Sequence, residues 1–470
     1  MQTATDPSTP ATPQRGRLLR VLGIGFGLAV IIGNTIGAGI LRTPGQVAGF
    51  LPNTWLFLGV WVVGGIYALL GAISIAELGT MLPRSGGQYV FARHALGDYA
   101  GFVVGWSDWI STCGSSAFIA LVIGEYLGVL VPALAGQTVP IALVIVIGFG
   151  ILQWRGIRWG SGAQNITSLI KTLAFIALIV ACFALGARYP APPVETTTTT
   201  VPPVPLVVAI VLALQAVIYT YDGWTGVIYF SEEVRDPARD IPRSMFGGVL
   251  AVIAIYMLVN LAVLYVLPIS QIADRDLAVG TAATVVFGAY GDTIIRALTI
   301  VSMLSAINAC QLMASRVLFA MSRDNLFSAR AARVNTGGTP TVTLLVSTIV
   351  AVLFILSAKI GQAFMHSDTA DSPLSLSDAL DRILAVIAFF FVVNYATSFL
   401  SVFVLRRREP ERARPYRAWG YPWTTGLSLL GSLAFLVSSL VSSKNSLYAL
   451  GLLALSYPTY LLLKRPAKSQ

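Results

Sequence analysis

Long apolar runs separated by short polar, arginine-rich loops set the plan of this chain. The runs hold roughly 17–25 mostly apolar residues, the length that crosses a hydrocarbon core. They predict about 12 helices, at approximately 21–41, 55–80, 99–130, 138–154, 162–186, 205–231, 245–268, 282–322, 340–358, 380–404, 422–442 and 445–463. The third and eighth are long enough to tilt strongly or to continue outside the bilayer. The predicted fold class is an all-α polytopic membrane protein.

Two of these runs are interrupted where a helix should be strongest. The first carries Gly33-Asn34-Thr35-Ile36-Gly37-Ala38-Gly39, and the sixth carries Tyr221-Asp222-Gly223-Trp224-Thr225-Gly226. Glycine costs about 1 kcal/mol relative to alanine inside a helix. Backbone that leaves its ladder at membrane depth must line a cavity or be satisfied by neighbours. Taken alone, Gly33 and Gly37 would read as a GxxxG packing face. A second break five crossings later, entering the membrane from the opposite side, instead predicts a five-plus-five inverted repeat with discontinuous helices 1 and 6, an arrangement of secondary transporters. The boundaries that follow are a cytoplasmic tail at 1–20, a first repeat at 21–186 and an outward linker at 187–204. A second repeat at 205–404, helices 11 and 12 at 405–463 and a tail at 464–470 complete the chain.

The breaks suggest the chemistry. An unwound helix bares carbonyls on its first half, and amides with a partial positive charge on its second. A zwitterionic amino acid needs both. Gly37, Ala38 and Gly39 offer amides that a carboxylate can approach closely. The carbonyls of Thr35, Ile36, Tyr219, Thr220 and Asp222 are candidate ammonium acceptors. Gly223, Trp224 and Thr225 complete the candidate substrate site, with Trp224 either packing the broken helix or touching substrate. Asp222 can line the site, bind a proton, or cap the segment that follows.

Charge supplies orientation. The chain has 31 Lys and Arg against 21 Asp and Glu, a net charge of +10. Most of the cations cluster at Arg15–Arg20, Arg84/Arg93, Arg155/Arg158, Arg235–Arg243, Arg323–Arg333, Arg406–Arg417 and Lys464–Lys468, all on one side if there are 12 crossings. The positive-inside rule makes that side, and both termini, cytoplasmic. The basic balance then calls for a lipid bilayer and no nucleic acid. Charged residues are only 11% of the chain, against about 25% in soluble domains. The three cysteines, Cys113, Cys182 and Cys310, lie inside predicted spans and read as small apolar residues. With two histidines, His94 and His366, and no metal-ligand spacing, neither a membrane enzyme nor a metal or cofactor site is expected.

Four motifs carry a family resemblance over essentially the whole chain. They are Ile32-Gly33-Asn34-Thr35-Ile36-Gly37-Ala38-Gly39-Ile40, Ala76–Tyr89 with its Pro83-Arg84-Ser85-Gly86-Gly87 turn, Tyr221-Asp222-Gly223-Trp224 leading to Glu232-Glu233-Val234-Arg235-Asp236-Pro237, and Arg316–Asp324. The chain resembles the amino acid–polyamine–organocation superfamily of secondary transporters, most closely its L-type amino acid transporter branch and bacterial relatives. The resemblance implies a substrate between broken helices 1 and 6, with Ala38 and Gly39 at the carboxylate. Many relatives have serine where this chain has Ala38, so the backbone would serve alone. Tyr219 falls where the family places an aromatic gate. Lys171, an intramembrane charge and hence a functional candidate, falls where sodium-coupled relatives hold sodium, and is expected to couple proton or conformational state to transport. Animal L-type members bond an accessory chain through a cysteine between helices 3 and 4. Residues 131–138 have none, so no disulfide-linked accessory chain is expected.

The expected function is secondary active transport of a neutral amino acid, by proton symport or exchange, in the plasma membrane, here a bacterial inner membrane. The alternative is a polyamine or cationic amino-acid antiporter, with Asp222 as its local acid. Glu77, Glu232, Glu233 and Asp236 are expected to pair with Arg84, Arg235 and Arg243. Ser115, Ser116, Ser305, Asn308 and Asn394 are read as substrate contacts or as helix–helix hydrogen bonds.

Overall fold

A computed structural model describes residues 18–186, 205–364, 376–442 and 446–463. The expected linker at 187–204, the tail at 464–470, most of the tail at 1–20 and His366 lie outside the described residues. Sixteen helices follow one another: α1 Ile24–Thr35, α2 Gly39–Phe50, α3 Thr54–Met81, α4 Gln88–Leu96, α5 Asp98–Leu130, α6 Thr138–Trp154, α7 Ile157–Leu185 and α8 Leu206–Thr220. Then come α9 Pro237–Val266, α10 Ile269–Ile272, α11 Ala278–Phe287, α12 Gly291–Arg323, α13 Thr341–Phe364, α14 Leu376–Arg408, α15 Trp423–Ser442 and α16 Ser446–Leu463. Among the described residues, seven helical spans are long and apolar enough to cross a membrane, or eight with the bent pair α1 and α2, and four shorter apolar helices join them.

The sequence explains how these helices pack. On α7, Gln164, Ser168, Lys171, Phe175, Leu178 and Cys182 recur at helical spacing and are buried. Ile166, Leu169, Ile170, Leu173 and Val180 lie on the other face and are exposed, as lipid-facing residues must be. The polar stripe of α7 therefore faces protein and its apolar stripe faces hydrocarbon, the reverse of a soluble helix. The central helix α12 is buried along nearly all its length. Small residues let α9 close on α1: a Cβ on Gly248 would lie 2.6 Å from Ile31 and one on Gly27 2.1 Å from Ser244.

Three expectations about boundaries change. The first span does not stop at 41 but continues through α2 to Phe50. Arg42, Thr43 and Gln46 ended the apolar run in sequence, yet they line an internal cavity, so lipid never tests their polarity. The long eighth run is two helices, α11 and α12, joined at Gly288 with φ +60°. The sixth span breaks as expected, but its second half is only the short 3-10 turn Gly226–Phe230. Packing also starts inside the expected tail: Leu18 is buried, and Leu22 and Val234 form a parallel bridge, with the Leu22 amide 3.0 Å from the Glu233 carbonyl.

The arginine-rich end is tied by ion pairs, with partners other than those expected. Glu77 receives Arg406 at 2.9 Å, Arg414 at 3.1 Å and the Ala418 amide at 2.7 Å. Arg316 holds Glu233 through two bonds of 3.0 and 3.1 Å, with both side chains fully buried. Arg323 takes Glu232, and Arg84 and Arg93 share Asp324. Asp236 caps α9 by accepting from the Arg239 amide. Sequence neighbours were the expected partners, but each of these ion pairs joins segments that only the bundle brings together. Arg412 and His94 flank Glu409 and hold its carboxyl below the usual carboxylate range.

Breaking one member of a buried pair costs about 3–5 kcal/mol, because a bare charge remains. Arg316→Met is expected to lower the thermal unfolding temperature of purified protein sharply. Arg316→Met with Glu233→Gln is expected to recover most of that loss. Equal destabilisation by the single and the double variant would contradict the pairing.

Candidate functional site

The two breaks meet. α1 ends at Thr35, Ile36 turns extended at φ −78° and ψ 94°, and α2 leaves at a bend of 45°. α8 ends at Thr220, and the chain turns through Gly223 at φ +109°. Only glycine fits there. A Cβ on Gly223 would lie 2.8 Å from Asn34 Nδ2 and 2.9 Å from the Thr35 nitrogen, so the second break rests directly on the first.

Gly33 O, Thr35 O and Ile36 O, bared where α1 ends, already hold partners. Lys171 Nζ donates to Gly33 O at 2.8 Å, Ile36 O at 2.6 Å and Ser302 O at 3.1 Å. Ser302 Oγ adds a second bond to Ile36 O at 3.0 Å. The Tyr256 hydroxyl lies 2.8 Å from Thr35 O and 2.9 Å from Thr220 O, sharing its one proton between the two broken helices. Tyr219 O accepts from the Asp222 amide at 3.1 Å. Four of the five carbonyls considered for an ammonium thus hold internal partners. The amides behave differently. Those of Gly37, Ala38 and Gly39 reach no backbone acceptor among the described residues, and the space beside Gly37 is open for 4 Å.

These amides face a cavity of about 540 Å³. Of the residues singled out in the sequence, Thr35, Gly37, Ala38, Gly39, Tyr219, Thr220, Asp222, Gly223 and Thr225 line it. Ile36 and Trp224 do not. The Ile36 side chain is fully buried, and Trp224 stacks on Tyr395 with ring centroids 5.0 Å apart and covers Gly71. Asp222 accepts a short hydrogen bond from the Tyr395 hydroxyl, so it is anchored to α14 and does not cap the 3-10 turn, whose leading residue is Thr225. One end of the cavity is exposed at Arg42, Gln46 and Asp274–Asp276; the other is closed by buried Gln88, Tyr229 and Met313.

Among the serines and asparagines, Ser115 lines the cavity. Ser305 bonds Gln164 and Ser168 on α7, Asn308 bonds Gln164 and the Gly160 carbonyl, and Asn394 accepts from Ser107. Sequence reasoning missed Tyr256, Tyr395, Tyr229 and Gln88. Tyrosines inside apolar spans were a signal, since a buried hydroxyl needs a partner, but helix rotation decides which partner.

Broken helices around a central polar cavity narrow the choice of family, and the whole-chain comparison decides it. The amino acid permease profile matches residues 27–454. The chain belongs to the amino acid permease family. It is a multi-pass membrane protein of the amino acid–polyamine–organocation superfamily, a transporter of amino acids and not an enzyme. The permease is 29% identical over 437 residues to the serine/threonine exchanger SteT of Bacillus subtilis, covering 91% of this chain and 93% of that one. It is 27% identical over 356 residues to the mouse b(0,+)-type amino acid transporter 1, covering 73% and 71%. The human protein of that name is 29% identical over 283 residues, covering 59% and 56%.

Tyr256→Phe leaves two carbonyls sharing no donor. A buried acceptor without a partner costs about 1–3 kcal/mol. The variant is expected to unfold at lower temperature and to lose affinity for amino acids, both read by thermal shift with and without ligand. Wild-type stability and affinity together would show that the hydroxyl does not hold the breaks.

Proposed function

We propose that this permease is a secondary active transporter of neutral amino acids that works by alternating access, as an exchanger or a proton-coupled symporter. The observation that carries the reading is the row of unbonded amides at Gly37, Ala38 and Gly39, opening on a cavity where the two breaks touch. A substrate carboxylate accepts from those amides at the positive end of α2. Its ammonium is left with the fifth carbonyl, that of Asp222, and with the Thr35 hydroxyl, which has no partner. Tyr219 lines the same wall, which supports a gating role for it.

Eight long spans and four short apolar helices agree with 12 crossings. Breaks that open residues 21–186 and 205–404 agree with a five-plus-five inverted repeat. With the arginine-rich end cytoplasmic, as the positive-inside rule has it, the exposed end of the cavity faces outward and the ion-paired end is the closed inner gate. The localisation that goes with this is the plasma membrane, a bacterial inner membrane, with both termini cytoplasmic. The α5–α6 connection has no cysteine for a disulfide-linked accessory chain. The name of the bacterial relative, an exchanger, supports exchange, and that of the mammalian relative supports amino acid transport.

Lys171 is the coupling residue in this reading. Three carbonyls accept from it, which fits an ammonium with three N–H groups. Moving α1 relative to α12 must break some of these bonds, so the charge links α1 position to protonation. The second reading, a cationic amino-acid or polyamine antiporter, keeps one specific support: the Asp222 carboxylate lies in the cavity wall.

Purified protein in proteoliposomes separates these readings. Labelled neutral amino acid is expected to enter faster when the lumen holds unlabelled amino acid, or faster under an inward proton gradient. Arginine, cadaverine and putrescine are expected to compete poorly. Strong competition by the amines, with none by neutral amino acids, would favour the antiporter. Lys171→Ala is expected to cut uptake by about tenfold or more, since a charge-assisted bond contributes about 1.5–3 kcal/mol; unchanged uptake and pH dependence would remove it from the mechanism.

A further inference from the structure

The closed end of the cavity holds a polar group that no protein neighbour uses. Gln88 opens α4 directly after Gly86 and Gly87, which take φ +129° and +63°. The Gly86 amide donates to the Tyr229 carbonyl at 3.2 Å, and a Cβ on Gly87 would lie 2.5 Å from the Tyr229 ring. This glycine turn is pressed on the 3-10 segment of the second break, and it sets Gln88 into the cavity wall beside Thr112 and Tyr229. Gln88 is only 2% exposed, and its Nε2 has no hydrogen-bond partner.

Its polar neighbours are committed elsewhere. The Tyr229 hydroxyl lies 3.0 and 2.9 Å from the two carboxylate oxygens of Asp108, and Thr112 donates to the same carboxylate at 3.4 Å. A buried amide without a partner is unfavourable, and native proteins rarely keep one. Gln88 lines the cavity, which leaves its contents as the source of a partner.

We propose that Gln88 is a specificity-determining residue whose amide reads a hydroxyl or carboxamide on the substrate side chain. The inference rests on the amino-acid reading above, with the main chain of the substrate at Gly37–Gly39. A carboxamide both donates and accepts, so it pairs with a hydroxyl or another carboxamide. It carries no charge and leaves the ammonium and carboxylate of the substrate to the helix breaks. Phe118, Ile119 and Met303 supply apolar wall for the remaining carbon atoms.

Threonine and valine test this directly, because they differ by a hydroxyl against a methyl. Competition by each against labelled substrate is measured in proteoliposomes for wild type and Gln88→Leu, and for Gln88→Met if the first variant does not fold. Wild type is expected to favour threonine over valine. The leucine variant is expected to reduce that ratio about tenfold or more, with valine bound as well as before, since a site built to bond a hydroxyl discriminates far more than an apolar one. Serine against alanine is expected to shift the same way. If a variant binds but does not transport, thermal shift of purified protein with the same pairs gives the ratio. A ratio unchanged by the substitution, or a wild type indifferent to the hydroxyl, overturns the inference and leaves the amide to water alone. A wild type that takes up no amino acid overturns the transport reading instead.

Discussion

The organising constraint of this protein is the cost of bare backbone carbonyls at membrane depth. A helix that stops in hydrocarbon leaves its last carbonyls without partners, and no water is there to take them. This chain stops α1 at Thr35 and then answers Gly33 O, Thr35 O and Ile36 O from three other helices. Lys171 comes from α7, Ser302 from α12 and Tyr256 from α9. The break is thereby held by three elements distant in sequence, and it stays open at the glycine amides on the side that faces the cavity.

That division gives the site its polarity. Most carbonyls of the breaks are used internally, and the amides are not. The cavity consequently presents hydrogen-bond donors at Gly37–Gly39 and an acceptor at Asp222, which Tyr395 fixes in place. In the proposed reading, opposite ends of a zwitterion find opposite partners there; no metal-ligand cluster occurs among the described residues. Lys171 lies beside the same break. It bonds Gly33 O and Ile36 O, while Gly37–Gly39, next in the chain, line the cavity, so the lysine and the cavity meet on one short peptide segment.

The two ends of the bundle are built differently. At the exposed end, Arg42 and Asp274–Asp276 stand around the opening. At the closed end, carboxylate–arginine pairs cross from the segment after the 3-10 turn to α12 and from α3 to α14 and the segment beyond it. The glycine turn before α4 seals the space between them. Among these pairs, Glu233 and Arg316 are both fully buried.

The sequence by itself determined a helical membrane protein with a broken first span, because apolar length and glycine at membrane depth act locally and need no knowledge of neighbours. It also picked out Thr35, Gly37–Gly39 and Asp222–Gly223, because a break must expose its own backbone wherever it sits. Only the tertiary structure decided which exposed groups were already taken, placing Ile36 O under Lys171 and Ser302 and turning Trp224 onto Tyr395. It likewise paired Glu77 with Arg406 and Arg414, and set Gln88 into the cavity floor. Each of these depends on the rotation and offset of helices far apart in the chain. The physical reason is that periodicity defines a helix and its apolar face, while the partner across an interface is fixed by packing alone.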